Sequence, residues 1–302
     1  MDALMKPEER VAEPLRGYMT KKFLILILLL NVMTVLLCGC EGQNESRTEE
    51  TVVNENRDSY EVSEFLDDAQ YDAYMNDGGE LFSRLQDFHH RMKNSGEFEF
   101  YTFANNFIEI INREVPEICV VNYGTEYADE SRYEMNGESI TATEAIQVSD
   151  NFFTLFPLKI SEGRSFEPAD FDYLSTDTIP VIMGNAYRDS FRLGDTFEGY
   201  YICERRSFSV IGFTDSESDF HLRNNNCMVP YGRFIIMPFE NIEEDTYSSR
   251  AILLQQTCGF ISIHGSRDVA LETIREYLTE SGLENWQEAI VVNEKSLQEK
   301  MN

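Results

Sequence analysis

The chain has 302 residues, 42% of them hydrophobic, and carries a formal net charge of −29 with a pI near 4.4. This length is sufficient for one large domain or two small ones with a substantial core. The negative charge excludes nucleic acid as a partner, because phosphates would be repelled, and it disfavours adsorption to anionic lipid. Composition therefore predicts a solvated acidic surface. The more specific alternative is an acidic patch that binds a basic peptide or a cation.

The N-terminal segment has the features of a targeting sequence. Residues 1–18 are polar and contain two prolines, so we expect a disordered extension, and Met19 is an alternative to Met1 as the start. Residues 19–40 form a signal or anchor segment, in which two lysines precede an almost wholly apolar run at 23–37. That run is at the border between a signal h-region and a membrane-spanning helix. Residues 41–58 have no apolar period and predict a tether.

The type of anchor depends on the residues after the apolar run. Leu37-Cys38-Gly39-Cys40 resembles a bacterial lipobox with Cys40 as the lipidated residue, although Cys38 departs from the usual pattern. Lipidation at Cys40 and an uncleaved transmembrane anchor both remain open. In either case the positive flank stays inside and the acidic remainder lies outside. We expect a bacterial cell-membrane location with an extracytoplasmic main domain at residues 59–302.

The first half of this domain combines helical and strand patterns. Helical spacing across residues 64–93, split by Gly78-Gly79, predicts two helices joined by a turn. Residues 97–111 alternate as one long strand or two short ones, and 117–123 predicts another strand. The segment 127–139, with Asn136-Gly137, predicts an exposed hairpin or loop. The adjacent His89 and His90 point to different sides of a helix, so we expect an exposed pair rather than a metal site.

The remainder predicts mostly strands. Asp150 suits a helix N-cap before the aromatic residues at 152, 153 and 156, and a strand is expected at 179–183. Residues 200–203 and 208–213 predict a hairpin, and 227–230 and 234–238 short strands. An acidic loop is expected at 242–249, a broken strand region at 251–263, a helix at 267–281 and a last strand at 288–293. The fold class is α+β: mixed sheets with helices packed on one side, in two lobes, after one N-terminal membrane-targeting helix.

The order of the central elements resembles the MacB-like periplasmic core domain, which is the extracytoplasmic domain of MacB/FtsX-type ABC transporter permeases. The resemblance covers roughly residues 50–302 and is sharpest between 145 and 240. It rests on these segments: Ser149-Asp150-Asn151-Phe152-Phe153, residues 160–166 with Gly163-Arg164, Ile179-Pro180-Val181-Ile182, Leu193-Gly194-Asp195 and Val210-Ile211-Gly212-Phe213.

The resemblance implies a domain that binds partner proteins or couples ATP-driven helix motion to events outside the membrane, without catalytic residues. It implies a permease and its ATPase as partners. A second transmembrane helix would begin about where this chain stops, so the chain is expected to be a free-standing version of the domain or part of a split permease. The alternative is a stand-alone lipoprotein that binds a peptide or small ligand.

No chemical motif favours an enzyme. There is no Gly-x4-Gly-Lys-Ser/Thr phosphate loop and no Gly-x-Ser-x-Gly, and the acidic residues 215–219 lack the glycine and distal glutamate of a calcium loop. The four cysteines at 119, 203, 227 and 258 form no Cys-x2-Cys pair, so zinc is not expected. Two disulfides and four free thiols both remain open. We name no catalytic, cofactor-binding or metal-binding residue, and expect no cofactor.

Overall fold

A computed structural model of the protein describes residues 58–173, 177–216, 220–222, 227–229 and 231–293. The disordered extension, the targeting segment and the tether predicted for residues 1–57 lie outside the described residues, as does the polar tail after residue 293. The folded part treated below is one compact unit within residues 50–221 and 228–302. No helix among the described residues has the length and hydropathy that crossing a bilayer requires.

Most described elements are strands, and the longer helices occur near the beginning and the end of the domain sequence. The elements follow in this order: β1 (Ser59–Glu64), α1 (Asp68–Asn76), α2 (Glu80–Lys93), β2 (Phe98–Ile111), β3 (Arg132–Met135), β4 (Glu138–Val148), α3 (Phe152–Leu155), β5 (Ile160–Gly163), β6 (Ile179–Met183), β7 (Thr196–Tyr201), β8 (Glu204–Thr214), β9 (Phe220–Leu222), β10 (Cys227–Val229), β11 (Ile235–Pro238), α4 (Tyr247–Gln255), β12 (Gly259–Ile263), α5 (Arg267–Glu280) and β13 (Ile290–Val292).

Six strands close into a ring of hydrogen-bonded pairs. The order around the ring is β2, β7, β8, β6, β11 and β4, and β4 pairs back onto β2. The pairs β6–β8 and β11–β4 are parallel, and the others are antiparallel. Alternate residues of these strands point inward, so a hydrophobic cluster that includes Ile108, Phe208 and Ile235 fills the interior. We call this part of the molecule the strand ring.

The first residues of β2 belong to a second layer. Phe98 to Thr102 pair with β12, which pairs with β1, and β1 pairs with β13. One face of these four strands packs against α1, α2, α4 and α5 around a separate hydrophobic cluster that includes Leu85, Phe88 and Ile261. We call this part the helix-covered sheet. Strands β9 and β10 pair in a two-stranded sheet of their own.

Local sequence signals explain where the long helices begin. The Asp67 carboxylate accepts from the Gln70 backbone N–H at 2.8 Å, and the Gln70 side chain accepts from the Asp67 N–H at 3.0 Å, which is a capping box for α1. Gly79 precedes α2 with a φ of +96°, which favours glycine. The Ser266 hydroxyl accepts from the Val269 N–H at 3.3 Å and caps α5.

Several predicted elements are confirmed. The two helices split at Gly78-Gly79 are α1 and α2, and residues 98–111 form one long strand. Residues 132–148 form the hairpin β3–β4 around Asn136-Gly137, both with positive φ. The hairpin β7–β8, the strand at 179–183 and the helix at 267–280 are also present. The fold is a mixed α/β arrangement of sheets and helices. Its two hydrophobic clusters share strand β2, so the division into two lobes stays a prediction.

Other expectations were wrong. Residues 117–123 form a short 3₁₀ turn and further turns, because Pro116 precedes them and Asn122 has a φ of +62°. The segment expected as a loop and then a strand contains α4, whose N-cap Thr246 accepts from the Ser249 N–H at 3.1 Å. Helix α3 begins at Phe152, and Asp150 does not cap it. The contacts of Phe156 with Phe260 place α3 on the sheet face opposite the other helices.

Candidate functional site

A cleft of about 420 Å³ among the described residues contains several titratable groups. Helix α2, the start of β2, the link from β4 to α3 and the link from β11 to α4 form its walls. It therefore lies where the helix-covered sheet meets the strand ring. The side chains that matter for its chemistry are His89, Lys93, Ser149, Asp150 and Glu240.

His89 is half-buried in the wall of this cleft, and its ring meets the edge of Phe100 at a centroid distance of 6.3 Å. Burial, with a smaller contribution from the positive charges of Lys93 and His90, lowers the pKa of His89 to about 4. The imidazole is therefore neutral at pH 7. The expectation of an exposed histidine pair is correct for His90 and wrong for His89, because adjacent helical positions point in different directions and α2 turns one of them into the cleft.

An ion pair spans the mouth of the cleft. Lys93 Nζ of α2 lies 3.3 Å from Asp150 Oδ2, beyond the end of β4, and about half of each side chain is exposed to solvent. Water screens such a pair, so it contributes at most about 1 kcal/mol. It is a contact between the helix-covered sheet and the segment after the strand ring.

A second ion pair lies deep in the wall. Arg206 Nη2 of β8 lies 2.6 Å from Glu240 Oε2, and the two side chains are only 2% and 3% exposed. Burial raises the pKa of Glu240, and the adjacent Arg206 opposes that rise. Removing Arg206 would leave Glu240 buried without this counter-charge, and removing Glu240 would leave Arg206 with only the partly exposed Glu204, at 3.3 Å.

The Ser149 hydroxyl of the cleft is already engaged. Ser149 Oγ donates to Asn151 Oδ1 at 2.7 Å and accepts from the Thr102 backbone N–H at 3.0 Å. No described residue of the cleft pairs a nucleophile with a base, and the described residues contain no group of three His, Cys, Asp or Glu side chains placed to hold a metal. The cleft offers packing and hydrogen bonding. That the chain is not an enzyme stays an expectation.

The remaining predicted site residues lie apart. The lipidation candidate Cys40 lies outside the described residues, as do the side chain of Cys227 and most of the acidic segment 215–219. Cys119, Cys203 and Cys258 are free thiols. Burial raises the pKa of Cys119 and of Cys258 to about 12, so neither thiol forms a thiolate nucleophile at pH 7.

The contribution of His89 and Glu240 to one cleft was not foreseen from the sequence. From the sequence, His89 was placed on the surface and Glu240 was not considered. The apolar residues on both sides of Glu240, Pro238-Phe239 and Ile242, are the available signal, since a carboxylate within such a run is buried only when it is paired.

Comparison with known proteins identifies the family. The model of the MacB-like periplasmic core domain matches residues 62–280, well over half of the chain. No functionally curated protein matches this chain.

Among solved structures, the periplasmic region of MacB from Actinobacillus actinomycetemcomitans is 12% identical, with coverage of 78% of this chain and 88% of that one and a TM-score of 0.42. The extracellular domain of the noncanonic ABC-type transporter YknZ from Gram-positive bacteria is 13% identical, with coverage of 78% and 99% and the same TM-score of 0.42. These similarities are too low to carry an argument, so the assignment rests on the family model.

The matched segment begins within β1 and ends at the last residue of α5, so it includes the strand ring, the cleft and the helix-covered sheet except for β13 and the start of β1. The chain therefore belongs to the MacB-like periplasmic core domain family, the extracytoplasmic domain of MacB/FtsX-type ABC transporter permeases.

Proposed function

We propose that this chain is a membrane-anchored extracytoplasmic module of an ABC transporter permease system and acts through protein–protein contact in export or coupling. The observation that carries the proposal is the family match across residues 62–280. The proposed partners are a membrane permease and its ATPase. Residues 19–40 would anchor the chain, either as a transmembrane helix or through a lipid on Cys40.

Strand β2 supports a coupling role. Its first residues pair with β12 in the helix-covered sheet, and its last residues pair with β4 and β7 in the strand ring. Fourteen extended residues without a break span roughly 45 Å. A displacement applied near β1, the first strand after the predicted tether, would reach the strand ring through a continuous backbone. The two-lobe description belongs to this proposal.

The test is affinity purification of the tagged full chain from native membranes in mild detergent. We expect an ATPase and a multi-span permease in constant ratio to the chain. A matched control carries residues 1–58 ahead of an unrelated soluble domain, and it should recover neither. A chain that is recovered free of both partners would contradict the proposal and favour the ligand-binding lipoprotein.

The same preparation decides the anchor. The mass of the N-terminal peptide separates a lipid on Cys40 from an uncleaved segment that begins at Met1 or Met19. Cys40→Ala is the control: it should block lipidation and processing in a lipoprotein and leave the mass of an uncleaved anchor changed only by the substitution.

A further inference from the structure

The long connection between β2 and β3 carries exposed apolar side chains. Within residues 118–130, which we call the tyrosine loop, Ile118, Tyr123 and Tyr127 are 40%, 44% and 46% exposed. Tyrosines with this much free surface are enriched at protein interfaces, because their rings supply contact area at low conformational cost. The loop therefore has the composition of a contact surface.

Backbone hydrogen bonds hold the loop in one conformation. Val121 N–H donates to Ala142 O of β4 at 3.0 Å, and Ser131 Oγ donates back to Val121 O at 2.8 Å. Successive turns follow, with Tyr123 N–H donating to Val120 O and Glu130 N–H donating to Tyr127 O, each at 3.1 Å. The rings are thus presented by an ordered backbone, so a partner that binds them pays less for ordering.

The charge of the loop selects the partner. Glu126, Asp129 and Glu130 are exposed beside the two tyrosines, and residues 118–130 contain no Lys or Arg. Arg233 lies over the Tyr123 ring at 6.0 Å, so that ring already accepts a guanidinium on one side while keeping exposed surface. Arginine and lysine side chains can pack their apolar stems on such rings while their charged ends meet the carboxylates.

The loop is also distant from the segment that would hold the anchor. It follows Ile111, the last residue of β2, whereas β1 belongs to the helix-covered sheet, which β2 leaves after Thr102. Nine extended residues separate those two positions by about 30 Å. A partner can therefore reach the loop without competing for the surface around β1.

We propose that the tyrosine loop is the docking surface for a basic, arginine- and lysine-rich segment of a partner protein. The inference rests on the proposed function, in that it assumes the domain works through protein contacts, and it adds where the contact forms and what chemistry the partner brings.

The test uses the full chain in detergent and a fluorescently labelled short arginine-rich peptide, with binding followed by anisotropy. A peptide with citrulline in place of arginine keeps the shape but removes the charge, and it should bind at least tenfold more weakly. Tyr123→Ala with Tyr127→Ala should weaken binding of the arginine peptide about tenfold, whereas Tyr123→Phe with Tyr127→Phe retains the rings and should stay near the parent value.

A chain of charge −29 attracts any polycation, so a matched charge control is needed. Glu126→Gln with Glu130→Gln should weaken binding several-fold, while Glu276→Gln with Glu288→Gln, exposed near the helix-covered sheet, should change it less than twofold. The proposal would be overturned if both glutamine double variants lost the same affinity for the peptide, or if the double alanine variant lost none. Circular dichroism and thermal melts verify that each variant is folded.

The outcome can be separated from that of the proposed function. If native membranes yield no permease or ATPase with the parent chain, the proposed function fails whatever the peptide does. If they are recovered equally well with the double alanine variant, the domain works through another surface and only the docking inference is wrong.

Discussion

The helix-covered sheet and the strand ring are built differently although they share a strand. The core of the helix-covered sheet consists of aliphatic and aromatic side chains from its strands and from α1, α2, α4 and α5, and the buried Arg250 beside it pairs with two partly exposed carboxylates. The strand ring also buries polar groups: the Arg206–Glu240 pair, and Asn106, whose amide donates to Tyr201 Oη at 3.1 Å and to Gln255 Oε1 at 3.0 Å. Both regions therefore depend on packing and on satisfied charges, but only in the strand ring are both members of the ion pair described here buried.

The largest effect should come from breaking the buried pair of the strand ring. Glu240→Leu leaves the buried Arg206 with only the partly exposed Glu204, at 3.3 Å, as a counter-charge, and should lower the free energy of unfolding by about 4 kcal/mol. Adding Arg206→Met should recover most of that loss, since the poorly compensated charge is removed with it. Denaturant unfolding measures both variants. A double variant no more stable than Glu240→Leu alone would show that the charge is not the cause.

Cavity formation in the helix-covered sheet should rank second. Leu85 of α2 is fully buried, and Leu85→Ala should cost about 3 kcal/mol. The conservative control Leu85→Met should cost less than about 1.5 kcal/mol. Hydrogen exchange tests the comparison directly, because Leu85→Ala should deprotect the helix-covered sheet before the ring. Uniform deprotection would mean that the two regions unfold as one.

Acid should destabilise the protein through His89. Its folded pKa of about 4 is below the unfolded value of 6.5, so the unfolded chain binds a proton first as pH falls. The stability that neutral His89 provides is complete above about pH 6.5 and is lost towards pH 4. The parent chain should lose unfolding free energy when the pH is lowered from about 7 to about 5. In His89→Gln this loss should be smaller by about 1–2 kcal/mol. His90→Gln is the control and should leave that slope near the parent value.

The smallest effect should come from the exposed pair that joins the two regions. Lys93→Gln should change stability by less than about 0.5 kcal/mol, and the change should vanish at high salt. A loss above about 1 kcal/mol would mean that the contact between α2 and the link after β4 matters more than its exposure indicates.

The sequence predicted the elements that local signals define. Periodicity and the glycines at 78 and 79 were sufficient for α1 and α2, and Asn136-Gly137 for the β3–β4 turn. The strand predicted at the start of residues 251–263 was wrong, because the short Ala-Ile-Leu-Leu segment has no period of its own. This segment is part of helix α4, in which Ile252, Leu253 and Leu254 are buried. Strand β1 was missed, because six residues at the edge of a polar tether give little pattern.

Closure of the ring could not be predicted, because it depends on the parallel pairs β6–β8 and β11–β4, which join segments distant in sequence. The cleft is unpredictable for the same reason. His89, Asp150 and Glu240 come from three separate parts of the chain, and only the packing of α2 beside the ring brings them together. The tyrosine loop was anticipated in part: residues 127–139 were expected to be exposed, but 117–123 was assigned to a strand.

Ring closure has a consequence for how this domain can be recognised. A closed circuit of strands leaves little unpaired backbone edge, and the described edge strands β3, β5, β9, β10 and β13 are only three or four residues long. Such edges are poor templates for an added strand, which protects an extracytoplasmic protein against edge-to-edge aggregation. Partners of the described domain must therefore bind through side chains on its surface rather than by extending its sheet.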